Sequence, residues 1–199
     1  MIAQELNARI VAARGFLGAR GWAQGVEENS VGQVRLNGAI RYCAPQTGDE
    51  NIIRAVLRHQ GRDDDWNDDP RRTEDEVRDF VANFEITDTD LGATFGHHWM
   101  EVVQLVRQAA TLTIDQAHQI HTAQTAGLYA ARDAAVYAAR DDGRDAAMGA
   151  AMDAARDAAP VSALYAAGYA ALAIVTQDLI SPEHHRALMG KWRSAFPDA

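Results

Sequence analysis

Between Leu128 and Ala171 the chain is written almost entirely in four-residue words: LYAA RDAA VYAA RDDG RDAA MGAA MDAA RDAA PVSA LYAA GYAA. Alanine has the highest helix propensity of any residue, so this stretch is committed to helix. Four residues advance about 400° at 3.6 residues per turn, and the alanine stripe therefore drifts about 40° per repeat. Such a stripe cannot face one neighbour for more than about three repeats. The words break at Asp142-Gly143 and again from Pro160 to Ser162. Helix boundaries are expected near Gly143 and before Pro160, with Pro160 in the first turn of a new helix. Alanine faces let helix axes approach closely, while Tyr129, Tyr137, Met148, Met152, Tyr165 and Tyr169 supply bulk.

The rest of the chain points the same way. Ile2, Leu6, Ile10, Phe16 and Leu17 fall mainly at helical spacings over residues 2–20. A second helix is expected near Glu50–His59, with Ile52, Ile53, Val56 and Leu57 on one face, and a third over Glu74–Phe84. His97–Leu112 is strongly apolar. Thr113-x-x-Gln116 has the form of a capping box opening the next helix, and Ser181-Pro182-Glu183 has the form of a cap with proline at the first helical position. Four glycines interrupt residues 21–45, which read as an irregular or hairpin insert over 22–38. Residues 85–96, EITDTDLGATFG, are short, polar and twice interrupted by glycine, and read as a linker. The expected fold is an all-α helical bundle of about six to eight helices. Its expected domains are an N-terminal one over 1–90 and an alanine-rich one over 91–199.

Composition bounds the function. Apolar residues make up 47% of the 199 and charged residues 24%, the balance of a globular protein. No window approaches the ~18 apolar residues of a membrane span, and the N-terminus reads as an amphipathic helix rather than a signal peptide. The single cysteine, Cys43, forms no internal disulfide, which fits a reducing cytoplasm. The net charge is −9 with no basic stripe, which argues against binding nucleic acid through its phosphates. Of nineteen basic residues only Lys191 is lysine, and the arginine, alanine and aspartate richness suggests a GC-rich coding genome, such as that of an actinobacterium or its phage.

The stretch RDDDWNDDPRRTE (62–74) carries the sharpest chemical hint. Laid on the twelve-residue calcium loop, Asp63, Asp65, Asn67, Asp69 and Glu74 fall on ligand positions 1, 3, 5, 7 and 12. Three positions resist. Asp68 replaces the glycine of the sharp turn, Pro70 the branched apolar residue, and Arg71 brings a cation where a ligand belongs. The same letters read more economically as a helix start, because Thr73-x-x-Glu76 is a capping box and Glu74 and Asp75 suit the helix dipole, and that reading wins.

Trp22-x-Gln24-Gly25, Gly38-Ala39-Ile40 and the string Trp66-Asn67-Asp68-x-Pro70-x-Arg72-Thr73-x-x-Glu76-Val77 together resemble a domain-of-unknown-function family of actinobacteria and their phages. The resemblance covers about residues 6–84. It implies a lineage and a domain but brings no catalytic residue. Relatives carry a cysteine-containing strand before the G-A-I element, where this chain has Val34-Arg35-Leu36-Asn37.

Asp115-x-x-His118-x-x-His121 fans over one broad helix face, a second metal candidate, although zinc would need a further ligand and H-E-x-x-H is absent. The serines lie in no G-x-S-x-G frame, and no phosphate-binding glycine loop occurs. The adjacent Arg-Asp pairs at 132/133, 144/145 and 156/157 point about 100° apart, so each is not expected to be its own ion pair. The leading expectation is a small intracellular helical protein of phage or actinobacterial origin, with no cofactor. It would act by binding a host or phage protein, without catalysis and without membrane contact, and would self-associate through an alanine-faced helix. Two rivals are a nucleic-acid role, as an acidic mimic or through a local arginine patch, and a metal-dependent hydrolase.

Overall fold

The computed structural model describes residues 1–24, 35–44, 47–62 and 64–196. Among the described residues there are twelve helices and no strand. The all-α class holds, but the helix number exceeds the expected six to eight, because segments read as loop are also helical. The chain divides into two compact units, Met1–Asp90 and Leu91–Ala199.

Unit 1 is built on α1 (Ile2–Arg20), which packs against α2 (Leu36–Cys43), α3 (Asp49–His59) and α5 (Glu74–Asn83); α4 (Asp64–Asp68) is a single short turn. Its core gathers Leu6, Ile10, Leu17, Ile40, Ile52, Ile53, Val56, Val77 and Val81. Part of the insert expected over 22–38 lies outside the described residues, and its end is not hairpin but the start of α2. There Leu36, Ala39 and Ile40, at helical spacing, are buried. Two side chains of α1 hold the far end of the unit. The Asn7 amide donates to the Ile86 carbonyl (2.9 Å) and accepts from the Ile86 amide (2.8 Å), pairing with that backbone as a neighbouring strand would. Arg14 donates to the Val81 carbonyl at 3.0 Å, serving an orphan acceptor at the end of α5.

The linker expected over 85–96 is largely a helix, α6 (Asp88–Phe95), and the division between the units falls inside it. Thr87 and Asp90 explain why: the Thr87 amide donates to Asp90 Oδ2 (2.8 Å) and the Asp90 amide to Thr87 Oγ1 (3.2 Å). This is a capping box with aspartate in the glutamate position, followed by buried Leu91 and Phe95.

Unit 2 contains α7 (Trp99–Ala110), α8 (Ile114–Thr122), α9 (Leu128–Asp141), α10 (Asp145–Ala158), α11 (Leu164–Val175) and α12 (Pro182–Arg193). The expected boxes form: Thr113 with Gln116 at α8, and Ser181 accepting from the His184 amide behind Pro182 at α12. Helix α9 ends where Gly143 adopts φ 73°, a left-handed conformation that suits glycine. Pro160 does not sit in the next helix. It opens a turn, with the Ala163 amide on its carbonyl at 2.8 Å, and α11 starts only at Leu164. Ring closure at Pro160 ends α10, but Pro160 is too far upstream to be the first helical residue.

α11 is the central helix, buried nearly all round, and it packs against α7, α9, α10 and α12. The alanine words are its lining. Ala131, Ala135 and Ala139 of α9, and Ala147, Ala151, Ala154 and Ala155 of α10, are the buried members. Their neighbours Ala130, Ala146 and Ala150 lie nearer solvent. Small inner side chains allow close approach of neighbouring helix axes, whose separations run over about 8–10 Å according to the side chains at the contact. The stripe that suggested self-association is thus largely consumed inside one unit.

Polar groups tie the ends of these helices. Arg144, at the start of α10, donates to both Asp178 oxygens (2.7 Å each), to Asp142 (2.6 Å) and to the Val175 carbonyl (3.0 Å). That guanidinium holds the Asp178 carboxyl down to about 2. Arg132 pairs with its own neighbour Asp133 (Nε to Oδ1, 2.9 Å), contrary to the expectation for adjacent residues. The long arginine stem folds back across the 100° that separates the two Cβ directions.

Candidate functional site

The calcium letters do not converge on an ion-sized space in the part that is described. Asp63 lies outside the described residues. Asp65 and Asn67 sit in α4, where two residues apart means about 200° around the axis, so they point to opposite sides. Asp65 is exposed and Asn67 is buried. Asp69 clasps Arg71, accepting from its Nη2 at 2.7 Å and its backbone amide at 2.9 Å, which holds the carboxyl far below the usual range. Glu74 faces Arg78 one turn on, at 2.8 Å. Thr73 and Glu76 form the full reciprocal box.

What these residues do instead is join unit 1 to itself. Trp22 Nε1 donates to Asn67 Oδ1 at 3.0 Å, and Gln24 Nε2 donates to the Asp69 carbonyl at 2.7 Å. Asn67 Nδ2 donates to Asp68 Oδ1 (2.8 Å), and Arg35 reaches Asp68 Oδ2 at 3.3 Å. The Trp66 ring packs on Phe80, with ring centroids 5.1 Å apart, and Phe80 stacks on Phe84. The guanidinium groups of Arg62 and Arg72 lie 4.8 and 4.6 Å from the Trp66 centroid. The W-x-Q and W-N-D strings, some 45 residues apart, are therefore two halves of one hydrogen-bonded joint.

Cys43 is half-buried, and burial pushes its thiol up against the opposing pull of Arg9. A nucleophilic thiol needs the reverse shift. Among the described residues no three His, Cys, Asp or Glu side chains converge as a metal site. Asp115, His118 and His121 are all exposed on α8.

The two histidines nevertheless line concave surface of unit 2. A cavity of about 350 Å³ is lined by Ile120, His121, Leu128, Tyr129, Ser162, Tyr165, Ala166, Tyr169 and Lys191. A second, of about 280 Å³, adjoins it through the shared His121 and Ser162 and runs past His118 and Pro160 to Thr113 and Ile114. Together they form a groove between α8, the turn before α11, and the N-terminal parts of α9 and α11, with Lys191 of α12 also in its lining. Its edge carries apolar surface that a folded chain usually hides: Ile114 is 89% exposed, Tyr129 71% and Tyr165 67%, and Val161, between two lining residues, is 86% exposed. Among the described residues no Asp or Glu lines either cavity. Lys191, His118 and His121 make no ion pair among the described residues, and Arg132 lies over the Tyr129 ring at 5.9 Å.

Sequence reasoning reached His118, His121 and the tyrosines but not the groove. Lys191, Ser162 and His121 are distant in sequence, and only the packing of α12 on α8 and α11 joins them. Comparison with protein-family models, with curated proteins and with solved structures found no match.

Proposed function

We propose that this chain is a non-catalytic helical binding protein that receives a segment of a partner protein in the groove of unit 2. The observation that carries the reading is the coincidence of a two-chambered concavity with a rim of exposed Ile114, Tyr129, Val161 and Tyr165. Exposed apolar side chains rimming a cavity mark interaction sites, because water contact with them is relieved only when something covers them. The raised thiol of Cys43 fits a packing role for that residue, and the reading rests on the groove rather than on any catalytic group. No helix among the described residues is long and apolar enough to cross a membrane. A phage or actinobacterial origin and a cytoplasmic setting belong to the same proposal, as does the resemblance of unit 1 to an uncharacterised domain family. The marker residues of that resemblance bond to one another, which supports a structural role for them.

A photo-crosslinking side chain placed at Tyr165, with a second at exposed Gln104 of α7 as control, tests the reading in lysate of a candidate host. One stoichiometric protein adduct from position 165 and none from 104 is the expected result. The same adducts from both positions, or none from 165, refute it.

A further inference from the structure

We infer that the occupant of the unit 2 groove is a short acidic peptide segment, bound in extended form, with an apolar or aromatic anchor among the tyrosines and carboxylates toward Lys191, His118 and His121. The inference rests on the groove reading given above and adds the chemistry of the partner. Shape comes first. The cavities share His121 and Ser162 in their linings, and the part beside α8 is lined by residues of that helix and its cap from Thr113 to His121. Eight steps at 1.5 Å make that part about 12 Å long, which matches about four residues of extended chain at 3.3 Å each.

Charge decides the rest. The chain carries a net charge of −9, so a surface taken at random is acidic. The groove departs from this. Its lining holds Lys191, His118 and His121, together with hydroxyls of Ser162, Tyr129, Tyr165 and Tyr169, and no carboxylate among the described residues. Lys191 has no ion-pair partner among the described residues, and it stands in the last turn of α12, where a cation is favoured by the helix dipole. A basic segment would meet that ammonium group in a partly enclosed place with nothing to offset it. An acidic one supplies the missing counter-charge and accepts hydrogen bonds from the hydroxyls. The apolar share of the lining, Ile120, Leu128, Ala166 and the three tyrosine rings, selects an anchor that a purely acidic tract lacks.

A randomised octapeptide library panned against the 199-residue chain tests this, with the Ser162→Trp chain as counter-selection. Ser162 is exposed in a turn and shared by both cavities, so the tryptophan fills the groove without entering the core. The expected peptides are rich in Asp and Glu around one Leu, Phe or Trp, and they are not retained by Ser162→Trp. Lys191→Glu weakens them about tenfold, which is 1.4 kcal/mol. Circular dichroism of both variants excludes misfolding as the cause. Selected peptides that are neutral or basic, or acidic ones indifferent to Lys191→Glu, overturn the acidic assignment while groove binding stands. Peptides retained equally by Ser162→Trp, or no enrichment at all, overturn the groove reading and this inference with it.

Discussion

Replacing Asn67 by alanine separates a structural joint from a calcium ligand. Asn67 is 2% exposed, and its side-chain oxygen is the acceptor for the Trp22 indole at 3.0 Å. Alanine removes that acceptor and leaves a part-buried N–H without its partner, a loss of about 1–3 kcal/mol. It also removes the donor to Asp68 at 2.8 Å. A total near 2 kcal/mol moves a urea midpoint by about 0.7–2 M at a slope of about 1–3 kcal/mol per molar. The assay is urea unfolding followed by tryptophan fluorescence. Trp22→Phe keeps an aromatic ring and deletes the donor, so the double variant should cost about 1 kcal/mol less than the two single losses added. Loss below about 0.5 kcal/mol for Asn67→Ala, or strict additivity in the cycle, would falsify the joint.

Four further outcomes are expected. Ala151→Leu, at a fully buried position of α10, destabilises by about 1–3 kcal/mol, whereas Ala146→Leu on the exposed side of that helix stays within about 0.5, both read by thermal melts. Asp178 is depressed to about 2 in the folded chain, so its contribution is present above the ordinary carboxylate value near 3.8 and is lost as pH falls toward 2. Asp178→Asn should flatten the stability-against-pH curve in that window, by no more than about 1 kcal/mol because the side chain is 45% exposed. A Cβ at Gly190 would lie 2.9 Å from the Thr125 side chain, so Gly190→Ala destabilises the wild type but stabilises a Thr125→Ala background by up to about 1 kcal/mol, and one sign in both backgrounds refutes the contact. Millimolar calcium leaves the melting temperature unchanged, since a ligand that binds only the folded state would raise it.

How much of this was legible depends on whether the signal was local. Caps were readable because they are written within four residues: Thr73 with Glu76, Thr113 with Gln116, Ser181 with Pro182. The same rule, applied with aspartate in the last place, would have turned the supposed linker at Thr87–Asp90 into a helix start. Glycine obscured α2, where Leu36, Ala39 and Ile40 keep helical spacing around Gly38. The calcium letters, already set behind the helix start in the sequence, part from a loop for a different reason. Ligand patterns assume a loop, and nothing within the string says that residues 64–68 coil into a turn of helix. Neither the Trp22–Asn67 joint nor the groove can be read at all without tertiary contacts, since their members meet across 45 residues and across 70.

The alanine words also determine how the chain tolerates change in length. Within α10 an inserted residue would turn everything after it by about 100°, carrying Ala151, Ala154 and Ala155 off α11 and bringing bulkier neighbours in. Such an insertion is felt only as far as the next break, because Gly143 and the turn at Pro160 restart the phase. Each helix of unit 2 is thus a separate reading frame. Errors of register stay confined to one frame, and whole frames can be exchanged only if their inner alanines arrive in step.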